Sequence, residues 1–368
     1  MSIATADVAI IGGGIVGAAC ARALAREKLR VVLIEASDLG SGATAAGMGH
    51  IVAMDDSEAQ FALTSYSVRQ WELLRPALPG PVEYEVRGTL WVAADDEEMG
   101  AVRSKHAFYT SRGVHAEILD EQGLRDAEPQ LRAGLAGALR VPGDSVIYSP
   151  CAVHWLAEEA RVNGAWIRQG VEVMAIEPGL VKLTDGSTTS CGSVLVAAGA
   201  ASTRFLPDLP VRPRKGHLAI TDRYPGFLRH QLVELGYLKS AHGHSSESVA
   251  FNVQPRSTGQ ILIGSSRQYD SPHGDIEAPL LARMLRRAFA YMPGLADLSV
   301  IRTWTGFRAA TPDSLPVIGP VSEKLWVAAG HEGLGITTSL GTAALIAAQM
   351  LGRDSPITAA PYLPSRFT

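Results

Sequence analysis

The most constraining feature of the sequence is a strand, a glycine-rich turn, a helix and a second strand within its first 35 residues. Val8–Ile11 is a short apolar run that leads into glycines, which is typical of a buried parallel strand. Ile15–Arg26 is rich in alanine with apolar residues at helical spacing, and Val31–Ile34 is a second apolar run. Because connections between parallel strands are right-handed, this order predicts a βαβ unit.

The turn between the first strand and the helix has the pattern G-x-G-x-x-G, with glycines at Gly12, Gly14 and Gly17. The first glycine permits the tight turn, the second lets a pyrophosphate approach the backbone, and the third lets helix and strand pack closely. Glu35 ends the second strand, at a place where a carboxylate binds ribose hydroxyls. The pattern therefore predicts a dinucleotide site at the N-terminus of the helix.

Three further features favour FAD over a nicotinamide cofactor. Ser41–His50 is a second glycine-rich run, and Val194–Ala200 is a strand that ends in small residues. Leu325–Leu351 repeats the order strand, glycine turn, helix at the far end of the chain. A helix that begins near Gly335 would direct its N–H groups at the anionic edge of a reduced flavin.

Composition and charge exclude several classes of protein. A net charge of −4 and a pI near 6.2 argue against a nucleic-acid binder, and 46% hydrophobic residues exclude disorder as the main state. Cys20, Cys151 and Cys191 form no C-x-x-C pair, so we expect no metal site, no iron–sulfur cluster, no disulfide framework and a reducing compartment. The sequence shows no signal-peptide pattern, and Ile336–Leu351 is too short and mixed for a membrane span, so we expect a cytoplasmic protein.

The rest of the chain predicts an α/β fold combined with antiparallel β structure. We expect a Rossmann-type FAD-binding domain built from discontinuous segments, residues 1–80, 145–210 and 315–368. The remaining residues, 81–144 and 211–314, are rich in β-like runs and predict a substrate-binding domain with a sheet and one covering helix. Helices are expected at 59–76, 97–113, 151–163, 279–292 and 336–351.

With these motifs the sequence resembles the D-amino acid oxidase superfamily of flavoproteins over essentially the whole chain. Within it, the sequence is most similar to the branch of glycine oxidase, sarcosine oxidase and D-hydroxyproline dehydrogenase. The resemblance is carried by VAIIGGGIVGAACARALA, GATAAGM, VLVAAGAAS, RPRKGHL, GFRAATPDSLPVIGP and GHEGLGIT. It implies a substrate domain with a mixed, largely antiparallel sheet that covers the flavin. It also implies an enzyme that oxidises a C–N bond beside a carboxylate and releases an imine.

The resemblance also implies which residues bind FAD. They form the glycine turn and the ribose acid, the run along the pyrophosphate, an adenine contact and the turns at strand ends: Gly12, Gly14, Ile15, Val16, Gly17, Glu35, Ala36, Ala43, Thr44, Ala46, Gly47, Met48, Val173, Ala198, Gly199, Gly306, His331, Gly333, Leu334, Gly335, Ile336 and Thr337. Sarcosine oxidases attach the flavin to a cysteine shortly before the T-P-D segment. No cysteine follows Cys191 here, so we expect noncovalent FAD.

Three residues are the candidates for catalysis. Arg308, in GFRAATPD, matches the glycine-oxidase arginine that binds the substrate carboxylate, and a guanidinium holds a carboxylate bidentately and stays charged when desolvated. His50 follows the glycine-rich run, and Tyr237, in the inserted domain, is expected to pair with Arg308 at the carboxylate. His331 is expected to touch the flavin or close the pocket. No general base is expected, because a neutral amine can give hydride directly to the flavin.

Two further groups of polar residues have plain interpretations. Lys215 would stabilise a reduced flavin if it lay beside it, but a surface lysine is the commoner outcome. His242 and His244 have the spacing of two metal ligands, yet no third ligand stands nearby, so we expect a polar loop.

These observations favour an FAD-dependent amino acid oxidoreductase, with cis-4-hydroxy-D-proline as the specific substrate expected from the resemblance. One alternative is a glycine- or sarcosine-type oxidase that passes electrons to oxygen. Another is a non-catalytic FAD-binding subunit of a hetero-oligomeric dehydrogenase. The expected partners are a small amino acid substrate and either an electron-accepting partner subunit or further copies of this chain.

Overall fold

The computed structural model of the protein describes residues 3–236, 247–271 and 273–367. Its helices are α1 (Ile15–Arg26), α2 (Glu58–Leu74), α3 (Asp96–Ser111), α4 (Glu121–Ala127), α5 (Ser149–Val162), α6 (Ala278–Tyr291) and α7 (Gly335–Met350). Its strands are β1 (Ile3–Ile11), β2 (Val31–Ile34), β3 (His50–Ile51), β4 (Glu85–Val86), β5 (Thr89–Ala93), β6 (Glu117–Asp120), β7 (Gly137–Val141), β8 (Ser145–Val146), β9 (Trp166–Arg168), β10 (Val173–Glu177), β11 (Leu180–Leu183), β12 (Thr188–Val196), β13 (Arg212–Thr221), β14 (Gln231–Glu234), β15 (Glu247–Pro255), β16 (Ile261–Gln268), β17 (Val300–Ala310), β18 (Val317–Ser322) and β19 (Leu325–Ala329).

The chain divides into two compact units. Unit one consists of Met1–Val82, Ile147–Pro213 and Phe307–Thr368, and unit two consists of Glu83–Val146 and Arg214–Gly306. The last boundary differs from the expected one between residues 314 and 315. The reason lies in β17, because its end turns into unit one, where Ala309 forms an antiparallel bridge with Glu332. Arg308 therefore belongs to unit one.

Unit one is built on a parallel sheet with the strand order β19-β12-β1-β2-β9. All four residues of β2 are buried, as expected for a parallel strand that is covered on both faces. Helix α1 packs against α5 and α7, and α2 packs against α7. Parallel strands end at the same edge, so the turns after β1, β2, β12 and β19 are brought together there.

Local capping sets where two helices begin. The Ser57 side chain accepts a hydrogen bond from the Gln60 N–H at the start of α2, and the Asp95 carboxylate accepts one from the Glu98 N–H at the start of α3. Three acidic residues occupy the first turn of α3, where the helix dipole favours them. The helices expected at 59–76 and 97–113 are thus observed at 58–74 and 96–111.

Unit two contains an eight-stranded sheet with the order β17-β13-β16-β15-β14-β5-β7-β6. The pairs β13–β16, β16–β15, β15–β14, β5–β7 and β7–β6 are antiparallel, but β14 runs parallel to β5. This one parallel pair makes the sheet mixed, as the resemblance implied. Since β5 and β14 belong to two different inserted segments, no hairpin joins them, and residue alternation within a strand does not specify direction.

Helix α6 packs against β15 and β16, over one face of this sheet. The core on that face includes Leu90, Leu232, Phe251, Val253 and Ile263. Within the described ranges, no helix has the length and apolar character needed to cross a bilayer.

Candidate functional site

The glycine turn after β1 has the geometry that its pattern predicts. Gly12 has a φ of +107°, and a Cβ added there would lie 2.6 Å from the carbonyl oxygen of Ala197. A Cβ added at Gly17 would lie 1.9 Å from the carbonyl oxygen of Gly12. Both positions therefore require glycine. Gly12 is needed because the turn passes close to the end of β12, and Gly17 is needed because α1 begins close to the turn.

The N-terminus of α1 suits an anion. Gly14 is its N-cap residue and supplies no side-chain cap, and the first turn contains no acidic residue. The N–H groups of a first helical turn have no carbonyl acceptor within the helix. One of them, at Ile15, donates to Oγ1 of Thr44 at 3.1 Å. The absence of side chains at the turn and the direction of these N–H groups fit a pyrophosphate.

Glu35 lies beside this turn, at the end of β2. Its Oε2 accepts a hydrogen bond from the Gly13 N–H at 2.6 Å, and its Oε1 accepts one from the Ser37 N–H at 2.9 Å. Its backbone is bonded to the end of β9 and to the segment that follows, because Glu35 N donates to Arg168 O and Val171 N donates to Glu35 O. The fold thus joins the ribose acid to Val171, two residues before Val173, the expected adenine contact, which is buried at the start of β10.

The end of β12 reaches the same edge of the sheet. Ala197 N donates to Ile11 O at 2.8 Å, which places Ala198 and Gly199 directly after a residue paired with the end of β1. Gly199 has a φ of +55°, a conformation that glycine adopts without strain.

The run 41–50 is tied to both α1 and α7. Thr44 bonds Ile15, as described, and its carbonyl accepts a hydrogen bond from Oγ of Ser149 at 2.8 Å. A Cβ added at Gly47 would lie 3.0 Å from Cδ1 of Ile336, so the run passes close to the first turn of α7.

Thr337, in that first turn, is buried and connects three segments. Its Oγ1 donates to the carbonyl of His50 at 2.8 Å and accepts from the N–H of Val52 at 3.3 Å. Its own carbonyl accepts from Nε1 of Trp71, in α2, at 3.1 Å. The start of α7 is thereby fixed against β3 and α2.

His331, in the turn before α7, is buried. Its Nε2 lies 3.0 Å from Oγ1 of Thr342, and burial lowers its pKa to about 4. The ring is therefore neutral at pH 7 and is held against the helix that follows it. The expected contact between His331 and the flavin stays a prediction. One of the two ring nitrogens, Nε2, is already hydrogen-bonded to Thr342.

Arg308 stands next to the same turn. A Cβ added at Gly333 would lie 3.7 Å from Nε of Arg308, and the neighbouring Glu332 N donates to Ala309 O at 2.9 Å. The backbone bridge thus places Arg308, a half-buried residue, beside a turn that has no side chain at Gly333. A guanidinium so placed can bind a carboxylate bidentately.

Unit one thus brings together most of the expected cofactor residues around the edge of its parallel sheet. Gly306, which was expected to join them, lies on β17 in unit two. Tyr237, His242 and His244 lie outside the described residues.

The expectation that Lys215 lies on the surface is wrong. Its side chain is 1% exposed, and its Nζ lies 2.9 Å from Oε1 of Glu277 and 3.1 Å from Oγ of Ser271. Hydrogen bonds from Gln268 and then from Lys215 lower the pKa of Glu277 to about 2. The two partners are 62 residues apart, so no local pattern could reveal the pair.

Sequence reasoning also missed Trp71 and Thr342 as supports of the site. A signal was present in the hydroxyl residues of α7, which otherwise has an apolar sequence. Because buried hydroxyls are almost always hydrogen-bonded, such residues indicate partners elsewhere in the chain.

Comparison with known proteins gives four relevant similarities. A family model described as FAD dependent oxidoreductase (DAO) matches residues 7–349. Glycine oxidase of Geobacillus kaustophilus is 29% identical over 98% of this chain and 97% of its own length, and hydrogen cyanide synthase subunit HcnC of Pseudomonas aeruginosa is 26% identical over 99% and 96%. The crystal structure of glycine oxidase from Geobacillus kaustophilus superposes with a TM-score of 0.89 at 27% identity, covering 98% of this chain and 99% of that one. These similarities confirm the predicted fold class.

Proposed function

The chain belongs to the DAO family of FAD-dependent oxidoreductases, as its motifs indicated, and on that premise we propose that it oxidises the C–N bond of a D-amino or cyclic amino acid. The observation that carries the proposal is the position of Arg308, whose Nε lies within 3.7 Å of a Cβ built on Gly333. A fixed guanidinium beside the glycine turn before α7 is the anchor that an amino acid carboxylate requires.

FAD is the family's cofactor, and we assign its binding to unit one, to which Arg308, the proposed anchor of the substrate carboxylate, also belongs. The backbone of Gly12–Gly17 and the N-terminus of α1 would hold the pyrophosphate, and Glu35 the adenosine ribose. The turn 333–337 and the run 43–48 would hold the flavin. FAD is proposed to be noncovalent, because no cysteine follows Cys191.

When bound, FAD would accept the hydrogen and the electron pair of the substrate's α C–H bond. The nitrogen lone pair would form the C=N bond of the imine, and the nitrogen would lose a proton. Arg308 would bind the carboxylate and orient the α-carbon. His50 and Tyr237 remain candidates for contacts with the substrate. No side-chain base is assigned, since the amine reacts in its neutral form.

The specific substrate proposed is cis-4-hydroxy-D-proline, on the resemblance of residues 228–268 to D-hydroxyproline dehydrogenases. A glycine- or sarcosine-type oxidase is the second candidate, because one relative that spans nearly the whole chain is a glycine oxidase. Another relative is named a subunit, which supports an electron-accepting partner chain or, as a third candidate, a non-catalytic FAD subunit. The three free cysteines support a reducing, cytoplasmic location.

The experiment is steady-state turnover of the FAD-loaded chain with cis-4-hydroxy-D-proline, D-proline, glycine and sarcosine, once with oxygen and once with an artificial dye as the acceptor. Turnover with dye but not with oxygen supports the dehydrogenase, and peroxide formation from glycine or sarcosine supports the oxidase. An FAD-loaded chain that turns over none of them with either acceptor contradicts the proposal.

A further inference from the structure

We propose that the open edge of strand β9 is a dimerisation surface, on which β9 of a second copy of this chain pairs antiparallel about a twofold axis at Ile167. Strand β9 (Trp166–Arg168) is the last strand of the unit-one sheet, and β2 is its neighbour among the described strands. An edge strand presents backbone groups that can pair with a strand from another chain. This surface lies within unit one and serves assembly rather than the proposed reaction.

The backbone of Ile167 points toward the open edge. Glu35 N donates to Arg168 O at 2.8 Å, so the polar backbone groups of Arg168 point toward β2. The direction of these groups alternates along a strand, and the N–H and C=O of Ile167 therefore point the other way. Two residues that lie directly opposite each other in an antiparallel pair can exchange both hydrogen bonds. A twofold axis at Ile167 would satisfy both of its outward groups in each copy.

The side chains of β9 are complementary to one another in this arrangement. With Ile167 at the axis, Trp166 lies opposite Arg168 of the second copy, and the same pair recurs on the other side of the axis. This position is a non-hydrogen-bonded pair of the ladder, where opposite side chains approach most closely. A guanidinium is attracted to the face of an indole ring, so both pairs would stabilise the dimer.

Trp166 and Arg168 are both positioned for such a contact. Trp166 is 48% exposed, although tryptophan is on average a highly buried residue. Arg168 donates through Nη1 to Oγ of Ser187 at 2.9 Å and through Nη2 to Oδ2 of Asp185 at 2.7 Å. These hydrogen bonds lie in the plane of the guanidinium. They fix the group and leave its face for stacking on an aromatic ring.

A groove beside β9 gives a second copy room. It has a volume of about 610 Å³, and its lining includes Trp166, Arg168 and Asp185. Trp166 of the second copy, placed opposite Arg168, would lie in this groove. Val162, at the end of α5, is 68% exposed and adds apolar surface shortly before β9. Because the edge is complementary to itself, it fits a second copy of this chain better than an unrelated strand.

The first experiment is sedimentation velocity of the FAD-loaded chain from about 1 to about 100 μM. We expect a concentration-dependent dimer with twice the chain mass of 39.0 kDa. Trp166→Lys sets a second cation opposite Arg168 and should raise the dissociation constant of the dimer by about 10-fold or more. Trp166→Glu sets a carboxylate there and should retain the dimer. The matched control is Leu73→Lys, at a 75% exposed apolar residue of α2, which should leave the dissociation constant unchanged.

Oxidative cross-linking tests the register of the two strands. Ile167→Cys places two thiols directly opposite each other across the axis, at a Cα separation that a disulfide can span. Gln169→Cys places the thiols about 13 Å apart along the strands, which is too far for a disulfide. We expect a disulfide-linked dimer on a non-reducing gel from Ile167→Cys, and none from Gln169→Cys or from the unsubstituted chain.

Three results would overturn the proposal. The first is a monomer at every concentration, which is also the result expected if the edge pairs with a different protein. The second is a dimer or larger assembly whose dissociation constant Trp166→Lys leaves unchanged, because the copies then meet through another surface. The third is equal cross-linking of Ile167→Cys and Gln169→Cys, which excludes the antiparallel register. None of these measurements requires turnover, so their outcome is independent of the proposed function.

Discussion

The Nε2 atom of His331 lies 3.0 Å from Oγ1 of Thr342, eleven residues further along the chain. This contact joins the side chain of the turn after β19 to the middle of α7. The order of these two segments along the chain does not by itself predict the contact. Burial lowers the pKa of the ring to about 4, so we expect protonation of His331 in acid to disturb the turn that carries Gly333 and Gly335.

Protonation of His331 should destabilise the protein in acid. Burial lowers its pKa from 6.5 to about 4, so the unfolded chain binds a proton that the native chain does not. The neutral ring therefore contributes its full stabilisation above pH 6.5, and this contribution is lost as the pH falls toward 4. The loss in the free energy of unfolding is on the order of 3 kcal/mol. His331→Gln, which keeps a hydrogen bond to Thr342, should show a smaller difference in Tm between about pH 7.5 and about pH 4.5 than the unsubstituted chain. Equal differences would show that the ring titrates normally.

Gly17→Ala should impair both stability and FAD binding. The added Cβ would lie 1.9 Å from the carbonyl oxygen of Gly12, and relieving this overlap requires α1 to move away from the turn. We expect a loss of about 1–3 kcal/mol of stability and a lower ratio of flavin to protein absorbance after purification. Gly80→Ala is the control, because nothing lies within 4 Å of its Cβ and its φ is not positive. If Gly17→Ala retained a full complement of FAD, the assignment of this turn to the pyrophosphate would be wrong.

Glu277→Gln should destabilise unit two by leaving the buried Lys215 ammonium without a carboxylate. Removing one partner of a buried pair costs several kcal/mol, and because Glu277 is 37% exposed we expect a smaller loss of about 2 kcal/mol. The pKa of Glu277 is lowered to about 2, so its contribution is present above pH 4.5 and is lost as the pH falls from there toward 2. Glu158→Gln, in the exposed pair with Arg161, should change the Tm very little. Similar Tm values for the two variants would contradict a structural role for Lys215.

Arg308→Ala should leave FAD binding intact and reduce kcat/KM for the amino acid substrate by about 100-fold or more, because a charge-assisted bidentate bond to the carboxylate is lost. Arg308→Lys keeps the charge but not the fork and should recover only part of the activity. The readouts are the flavin spectrum and the rate of anaerobic reduction. Normal reduction in Arg308→Ala would remove this residue from substrate binding.

The fold was largely predictable where local pattern and long-range packing agree. The glycine turn, α1 and β2 were predictable because each glycine of the G-x-G-x-x-G pattern serves the backbone geometry of one βαβ unit. The strand predicted at the start of the segment Leu325–Leu351 was found at Leu325–Ala329, since it is a short buried run between turns. The parallel pairing of β14 with β5 was not predictable, because it joins two insertions with no hairpin between them.

The supports of the site were harder to predict for the same physical reason. Thr337 with His50 and Lys215 with Glu277 are hydrogen-bonded pairs whose members are far apart in the chain. A sequence records the polar character of such residues but not their partners. Whether such a residue is buried depends on these distant partners. Lys215 is an example, because a lysine is most often found on the surface and this one is buried against Glu277.

The most direct test of the central claim is the visible spectrum of the purified, FAD-loaded chain under anaerobic conditions during titration with cis-4-hydroxy-D-proline, D-proline and glycine. We expect a flavin band that at least one of these amino acids bleaches, with Arg308→Ala retaining the band but resisting bleaching. A folded chain that shows no flavin band even after FAD is added would contradict the claim.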